Sequence, residues 1–336
     1  MKAVMFREPR SSRAPRTAMR RPGRLALSAS ALLLAASCAT RPPPPVAVDV
    51  LAPLDRNAIA LVEARGSDVA LLAKELEASA PPDGKKLRDA AGALGGLATR
   101  GRLFGLALSA AQGPKPESKE AVIPPFESVI AGDFDAAGLW WEFIFAPGWR
   151  HEKGEWNNRS LDLSVALPRS GLLVAARGDA RYLAKRAEAN GASPLPPRFA
   201  GLVNEGVVVW LPDPLHRLAS SLGPDAAALS QLGGPPPDVL VLARLPDLAG
   251  AKGGDDGIVD LEVYALMGSE YSARILQPAL RLGWYFLARK SRLGFYGEPE
   301  FHREGDTIRI TGIGLRFASV VALASRALDS ETAQAR

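Results

Sequence analysis

Cysteine occurs once and histidine three times in this chain of 336 residues. A single cysteine excludes an intrachain disulfide framework, and so few Cys and His side chains leave little material for a zinc site. Long apolar runs are also missing: the longest candidate, Leu25 to Ala36, has twelve residues, too few to cross a hydrocarbon core of about 30 Å as a helix. There is no Gly-x-Ser-x-Gly elbow and no His-Glu-x-x-His pair, and Gly312 and Gly314 do not complete a dinucleotide-binding glycine pattern. What is present is 47% apolar and 23% charged residues with a mean hydropathy near zero. That profile excludes disorder, collagen and a polytopic membrane protein, and belongs to a folded globular body.

The excess of Lys and Arg, 41 against 36 acidic residues, would ordinarily raise nucleic acid as a partner. Its distribution argues otherwise. Eight of the basic residues, Lys2, Arg7, Arg10, Arg13, Arg16, Arg20, Arg21 and Arg24, lie within residues 1–37 beside one acid, Glu8, leaving 33 positive and 35 negative charges beyond them. No nucleic-acid partner is expected.

The basic stretch followed by Leu25–Ala36 has the form of a secretory signal. Its apolar core runs into Leu34, Ala35, Ala36, Ser37 and then Cys38. This junction resembles the lipobox of bacterial lipoproteins, a resemblance that covers about the first 40 residues. The resemblance implies cleavage before Cys38, a diacylglycerol thioether on its sulfur and an acylated new amino terminus, with palmitate-type chains entering a membrane. Two or three acyl chains on one residue make a lasting anchor where one alone binds reversibly. Ala39 after the cysteine resembles the outer-membrane sorting pattern, so the expected location is the periplasmic face of the outer membrane. Met19, followed by Arg20, Arg21 and Arg24, is the expected translation start.

Removal of residues 1–37 leaves 299. The expected organisation is a signal peptide over 1–37, a lipidated Cys38 with a Pro-rich spacer to residue 50, one half over 51–190, a linker over 191–200 and a second half over 201–330. Pro42 to Pro45 favour an extended polyproline spacer. Strand and helix patterns alternate after it, with Ser67 expected to cap the first helix and Pro278 lying within a long helix from about Glu270 to Lys290. Gly132 and Gly268, like Gly178 and Gly314, precede helices 136 residues apart, which points to an internal duplication. The expected fold is therefore α+β: two similar halves, each a mostly antiparallel sheet with helices packed on one face.

Candidate chemistry is sparse. Trp140, Trp141, Trp149 and Trp156 cluster around one helix and Trp284 occupies the equivalent region of the second half; a core and its rim account for most of them, and the remainder form a candidate binding surface for a partner, lipid or glycan. Glu300, His302 and Glu304 would share one face of a strand, as a metal or acid-base cluster or simply as a solvated edge. The Gly- and Asp-rich stretch with Asp255, Asp256 and Asp260 lacks calcium-loop spacing and reads better as a flexible turn. His151 fits a surface strand. No cofactor or metal is expected.

These features together predict a lipid-anchored cell-envelope protein with a non-enzymatic binding or assembly role. It would be held to the membrane by lipid on Cys38, with an envelope protein as a candidate partner. The alternatives are a lipid-anchored hydrolase or metal-dependent enzyme using the His302 or Asp255 regions, and a hydrophobic-ligand carrier.

Overall fold

The computed structural model describes residues 48–80, 84–109, 125–159, 162–189, 191–217, 238–246, 257–290 and 294–322. Cys38, its leader, the proline spacer, and Asp255 and Asp256 lie outside the described residues.

The protein is α+β, built on one large antiparallel sheet. The described strands are β1 (Ala60–Arg65), β2 (Gly101–Leu108), β3 (Phe126–Gly132), β4 (Trp149–Glu152), β5 (Glu155–Asn158), β6 (Leu163–Arg169), β7 (Leu172–Arg177), β8 (Val207–Leu211), β9 (Asp238–Arg244), β10 (Ile258–Leu266), β11 (Phe295–Tyr296), β12 (Glu300–Glu304) and β13 (Thr307–Arg316). Their order is β11-β13-β10-β9-β8-β1-β2-β3-β7-β6-β5-β4, with β12 also paired to β13. The two halves therefore do not pack as separate sheets. They join through β1 and β8, whose central rung pairs Val62 with Val209.

The ladder itself repeats about that rung. Outward from Val62 the paired residues are Leu106, Ser128 and Ala175; outward from Val209 they are Val241, Val263 and Ile310. From 106 to 241, 128 to 263 and 175 to 310 the offset is 135 each time. The central strands are offset further because 44 residues separate Val62 from Leu106 and only 32 separate Val209 from Val241. The glycine landmarks of the sequence fall one residue off this register.

The described helices are α1 (Gly66–Ser79), α2 (Lys85–Arg100), α3 (Ala136–Phe145), α4 (Ala180–Glu188), the short α5 (Pro214–Arg217) and α6 (Glu270–Lys290), and residues 317–322 are helical after β13. Alternation along the strands sends side chains to two faces. On one face α1 and α2 bury Leu76, Leu87 and Ala91 near Val259 and Phe317; α3 buries Leu139 on Ile130, Val165 and Leu173; α6 buries Ala273 on Ile308, Ile310 and Ile313. The other face carries Leu61, Val129, Val174, Trp210 and Leu240. It is covered by Val50, Leu51 and Leu54, by Leu183 and Ala187 of α4, and by Leu195, Phe199 and Val203. Helices of both halves thus share one face, with α4 on the opposite one.

Two local expectations change and one helix is new. Ser67 does not cap α1: the β1–β2 ladder runs to Arg65, whose guanidinium holds Asp68 at 2.9 Å, and the chain enters the helix there. α2 corresponds to no element read from the sequence: burial of Leu87 and Ala91 against α1 outweighs the weak propensity of Gly92, Gly95 and Gly96. The stretch read as a linker lies over the sheet with Leu195 buried.

Candidate functional site: outward apolar faces on two equivalent helices

α3 starts where β3 ends. Asp135 accepts a hydrogen bond from the Gly138 amide at 2.6 Å and so N-caps the helix. Arg100 clasps the helix from below through an ion pair to Glu142 and lies 5.3 Å over the Phe134 ring. Leu139 and Phe143, one turn apart, point to the sheet. Trp140, Trp141, Ile144 and Phe145 are then forced outward, and Trp141 is 62% and Phe145 74% exposed. Their rings stack on each other at 5.7 Å.

The remaining tryptophans of this group do not join that surface. Trp149 packs 4.6 Å from Phe143 and Trp156 packs 5.4 Å from it, both half-buried at the rim of the core. They sit on a β4–β5 hairpin turned at Lys153 and Gly154, both at positive φ. Trp140 bridges the two environments, with its ring 5.2 Å from Trp156 and 5.1 Å from His151. His151 is on edge strand β4, as its sequence context suggests.

α6 follows β10 as α3 follows β3. Its inner stripe, Leu276, Leu280 and Trp284, packs on the β10–β13 core, with Trp284 4.9 Å from Phe295. Its outer stripe is also apolar: Tyr271, Ile275, Leu282 and Tyr285 are exposed, Tyr271 to 74%. Their spacing of four, seven and three places them on one side of the helix. Trp284 is therefore a core residue, and sequence reasoning missed the outer stripe because only aromatics were weighed. The 3.6-residue period of Tyr271, Ile275 and Leu282 was the available signal.

The strand cluster near His302 divides. His302 Nε2 lies 3.2 Å from Glu300, whereas Glu304 turns to Arg309 at 3.8 Å. Among the described residues no three His, Cys, Asp or Glu side chains converge as a metal site would require. Asp260 is on β10, 3.6 Å from Arg244. His216 falls in α5.

The most enclosed ionic cluster is on the same face of β10 as Asp260, the face away from α6. Glu262, almost fully buried, accepts from Arg244 at 2.9 Å and from Arg309 and Tyr264. Burial pushes this carboxyl up, but the three donors outweigh it and hold it below the usual glutamate range. Burial and the Glu262 contact raise the Tyr264 phenol to about 12. With both guanidinium groups committed to carboxylates, this network ties β9, β10 and β13 together and offers no unpaired charge to a ligand.

No family model matches the sequence, and no curated protein matches it. Solved structures of TP0453 share the fold. Crystal form III is 14% identical, aligns over 83% of this chain and 99% of its own, and has a TM-score of 0.53; form IV gives 14%, 83%, 97% and 0.53. Form I is 15% identical over 84% of this chain and 99% of its own, with a TM-score of 0.51.

Proposed function

We propose that this is a lipid-anchored cell-envelope protein with a non-enzymatic binding role, in which the outward faces of α3 and α6 lie on the membrane surface entered by the acyl chains of Cys38. The observation that carries this reading is the pairing of two large apolar faces, Trp140, Trp141, Ile144 and Phe145 on α3 and Tyr271, Ile275, Leu282 and Tyr285 on α6, at equivalent places in both halves. Contiguous exposed apolar surface of this kind is costly in water and marks a contact with a partner or lipid.

Both helices pack on the same sheet face. Exposed Arg274 and Arg281 flank the α6 stripe, the arrangement of a helix lying in a headgroup layer. Ten residues lead from Cys38 to Val48, a length that can reach roughly 30 Å when extended. Val48 lies beside Arg102 and Gly132, at the end of the sheet from which α3 departs. Among the described residues no helix is long and apolar enough to cross a membrane, and contact at the surface needs none. The periplasmic face of the outer membrane is the proposed location.

Tryptophan quenching tests the reading on the native lipidated protein in phosphatidylethanolamine–phosphatidylglycerol vesicles carrying brominated acyl chains. Quenching lost in a Trp140→Phe/Trp141→Phe double variant is the expected result. Full emission from the unsubstituted protein in brominated vesicles would overturn membrane contact and favour an envelope protein as occupant of these faces.

A further inference from the structure

The face of the sheet opposite α3 and α6 holds a cavity of about 510 Å³. Its floor is Glu63 with Leu103 and Ala131, and its walls are Val48, Asp49 and Leu195. Glu63 projects from β1 between Gly105 of β2 and Val208 of β8, neither of which offers a side-chain donor. Among the described residues its carboxylate has no hydrogen-bond or ion-pair partner. Arg102 also lines the cavity, but its guanidinium is committed to Asp133 at 2.8 Å, and Arg65, two residues along β1 from Glu63, is committed to Asp68 at 2.9 Å.

The internal repeat shows that this space is a feature of one half alone. Residues that share a rung with Glu63, Gly105 and Ala131 in the second half are Trp210, Leu240 and Leu266, by the offsets of the two ladders. There a buried indole and two leucines close the surface: Trp210 is 4% and Leu240 0% exposed. In the first half the same rungs carry a carboxylate, a glycine and an alanine. Gly105 makes room for the strap formed by the segment from Val48 to Leu54 across this face, since a Cβ there would lie 2.6 Å from the Val50 carbonyl oxygen. The strap in turn brings Asp49 to the cavity, its Oδ1 fixed by the Leu51 and Ala52 amides at 2.9 and 3.1 Å.

We infer that this cavity is a binding site for a small organic cation, an amine with an apolar body, whose ammonium group pairs with Glu63 under the rim carboxylate of Asp49. Leu103, Ala131, Leu195 and Val48 supply the apolar contact, and the ammonium supplies the donors that the Glu63 carboxylate lacks. Burial, with the Asp49 charge adding to it, raises the Glu63 carboxyl to about 7. Binding of a cation therefore weakens as Glu63 protonates below that pH. This inference does not rest on the membrane reading, because it concerns the other face of the sheet.

The test is calorimetric titration of the full lipidated protein in dodecyl maltoside with benzylammonium, benzyl alcohol and benzoate, probes that share one apolar body and differ in charge. Saturable one-to-one binding of benzylammonium at pH 8.5 is expected, at least about tenfold tighter than either other probe and about tenfold weaker at pH 5.5. Glu63→Gln, which keeps shape and removes charge, is expected to weaken benzylammonium by about tenfold or more. Glu63→Trp, which copies the second half, is expected to abolish it, with folding checked by circular dichroism. Equal affinity for benzyl alcohol, an unchanged Glu63→Gln titration, or no saturable benzylammonium binding would each overturn the inference.

Discussion

Glu63 and Trp210 occupy one and the same rung of the two half-sheets, each a single residue past the Val62–Val209 pair about which the ladder repeats. The indole fills the core, while the carboxylate is half-buried beside Asp49 without a donor. The half-sheet with Trp210 is stabilised by that packing and the half-sheet with Glu63 bears a charge it does not neutralise.

That difference has a pH signature. A carboxyl whose folded pKa is raised to about 7 contributes most to stability while protonated, and the contribution is lost as pH rises from the unfolded value through 7. Glu63→Gln should therefore raise stability at pH 8.5 by about 1–3 kcal/mol and change little at pH 4. Urea denaturation at the two pH values measures this, and equal effects at both would contradict it.

Glu262 should behave in the opposite sense. Its carboxyl is held below the usual range, so the network's contribution is present above the unfolded pKa and is lost as pH falls through the folded one. Arg309→Ala should cost about 2 kcal/mol at neutral pH and flatten the acid limb of a stability–pH profile, because a buried carboxylate loses one of its charged donors. Tyr264→Phe should cost about 1 kcal/mol.

Two glycines near α1 and α2 should separate a close approach from a mere weakness of propensity. A Cβ on Gly66 would sit 2.0 Å from the Gly101 carbonyl oxygen, whereas one on Gly92 meets nothing within 4 Å. Gly66→Ala should destabilise by about 2–4 kcal/mol through backbone displacement. Gly92→Ala, in the exposed interior of a helix, should stabilise by about 0.5–1 kcal/mol. Thermal melts of the pair give the contrast directly.

If Cys38 carries the anchor, labelled palmitate should enter the unsubstituted protein and not Cys38→Ala, and the variant should leave the membrane pellet on carbonate extraction. Label retained in Cys38→Ala would place the lipid elsewhere or remove it from the account.

Much of the sheet was legible because its strands are short apolar runs: the run Val207–Leu211 is β8, and β9 and β10 extend only a residue or two beyond their apolar cores. A helix around Trp140 and Trp141 was legible too, and in the structure Asp135 caps it and Pro147 follows its end. α2 was not, because its helicity comes from α1 and the core rather than from its own glycine-rich sequence. The β4–β5 hairpin was hidden among aromatic and charged residues without alternation. Of the tryptophans, composition could not say which face each takes: Trp141 projects into solvent and Trp284 packs on Phe295 because the sheet claims only one side of each helix.

The α+β class was readable from local patterns of side-chain type and spacing, and patterns of the same kind are the basis for expecting the repeat and a lipidated Cys38. The tertiary structure decided that the halves share one sheet through Val62 and Val209, that α3 and α6 turn apolar faces outward on the same side, and that Glu63 stands over a cavity where Trp210 fills its counterpart. Those outcomes depend on strand register and on what packs across the sheet, which bring together residues far apart in the chain and leave no trace in local spacing.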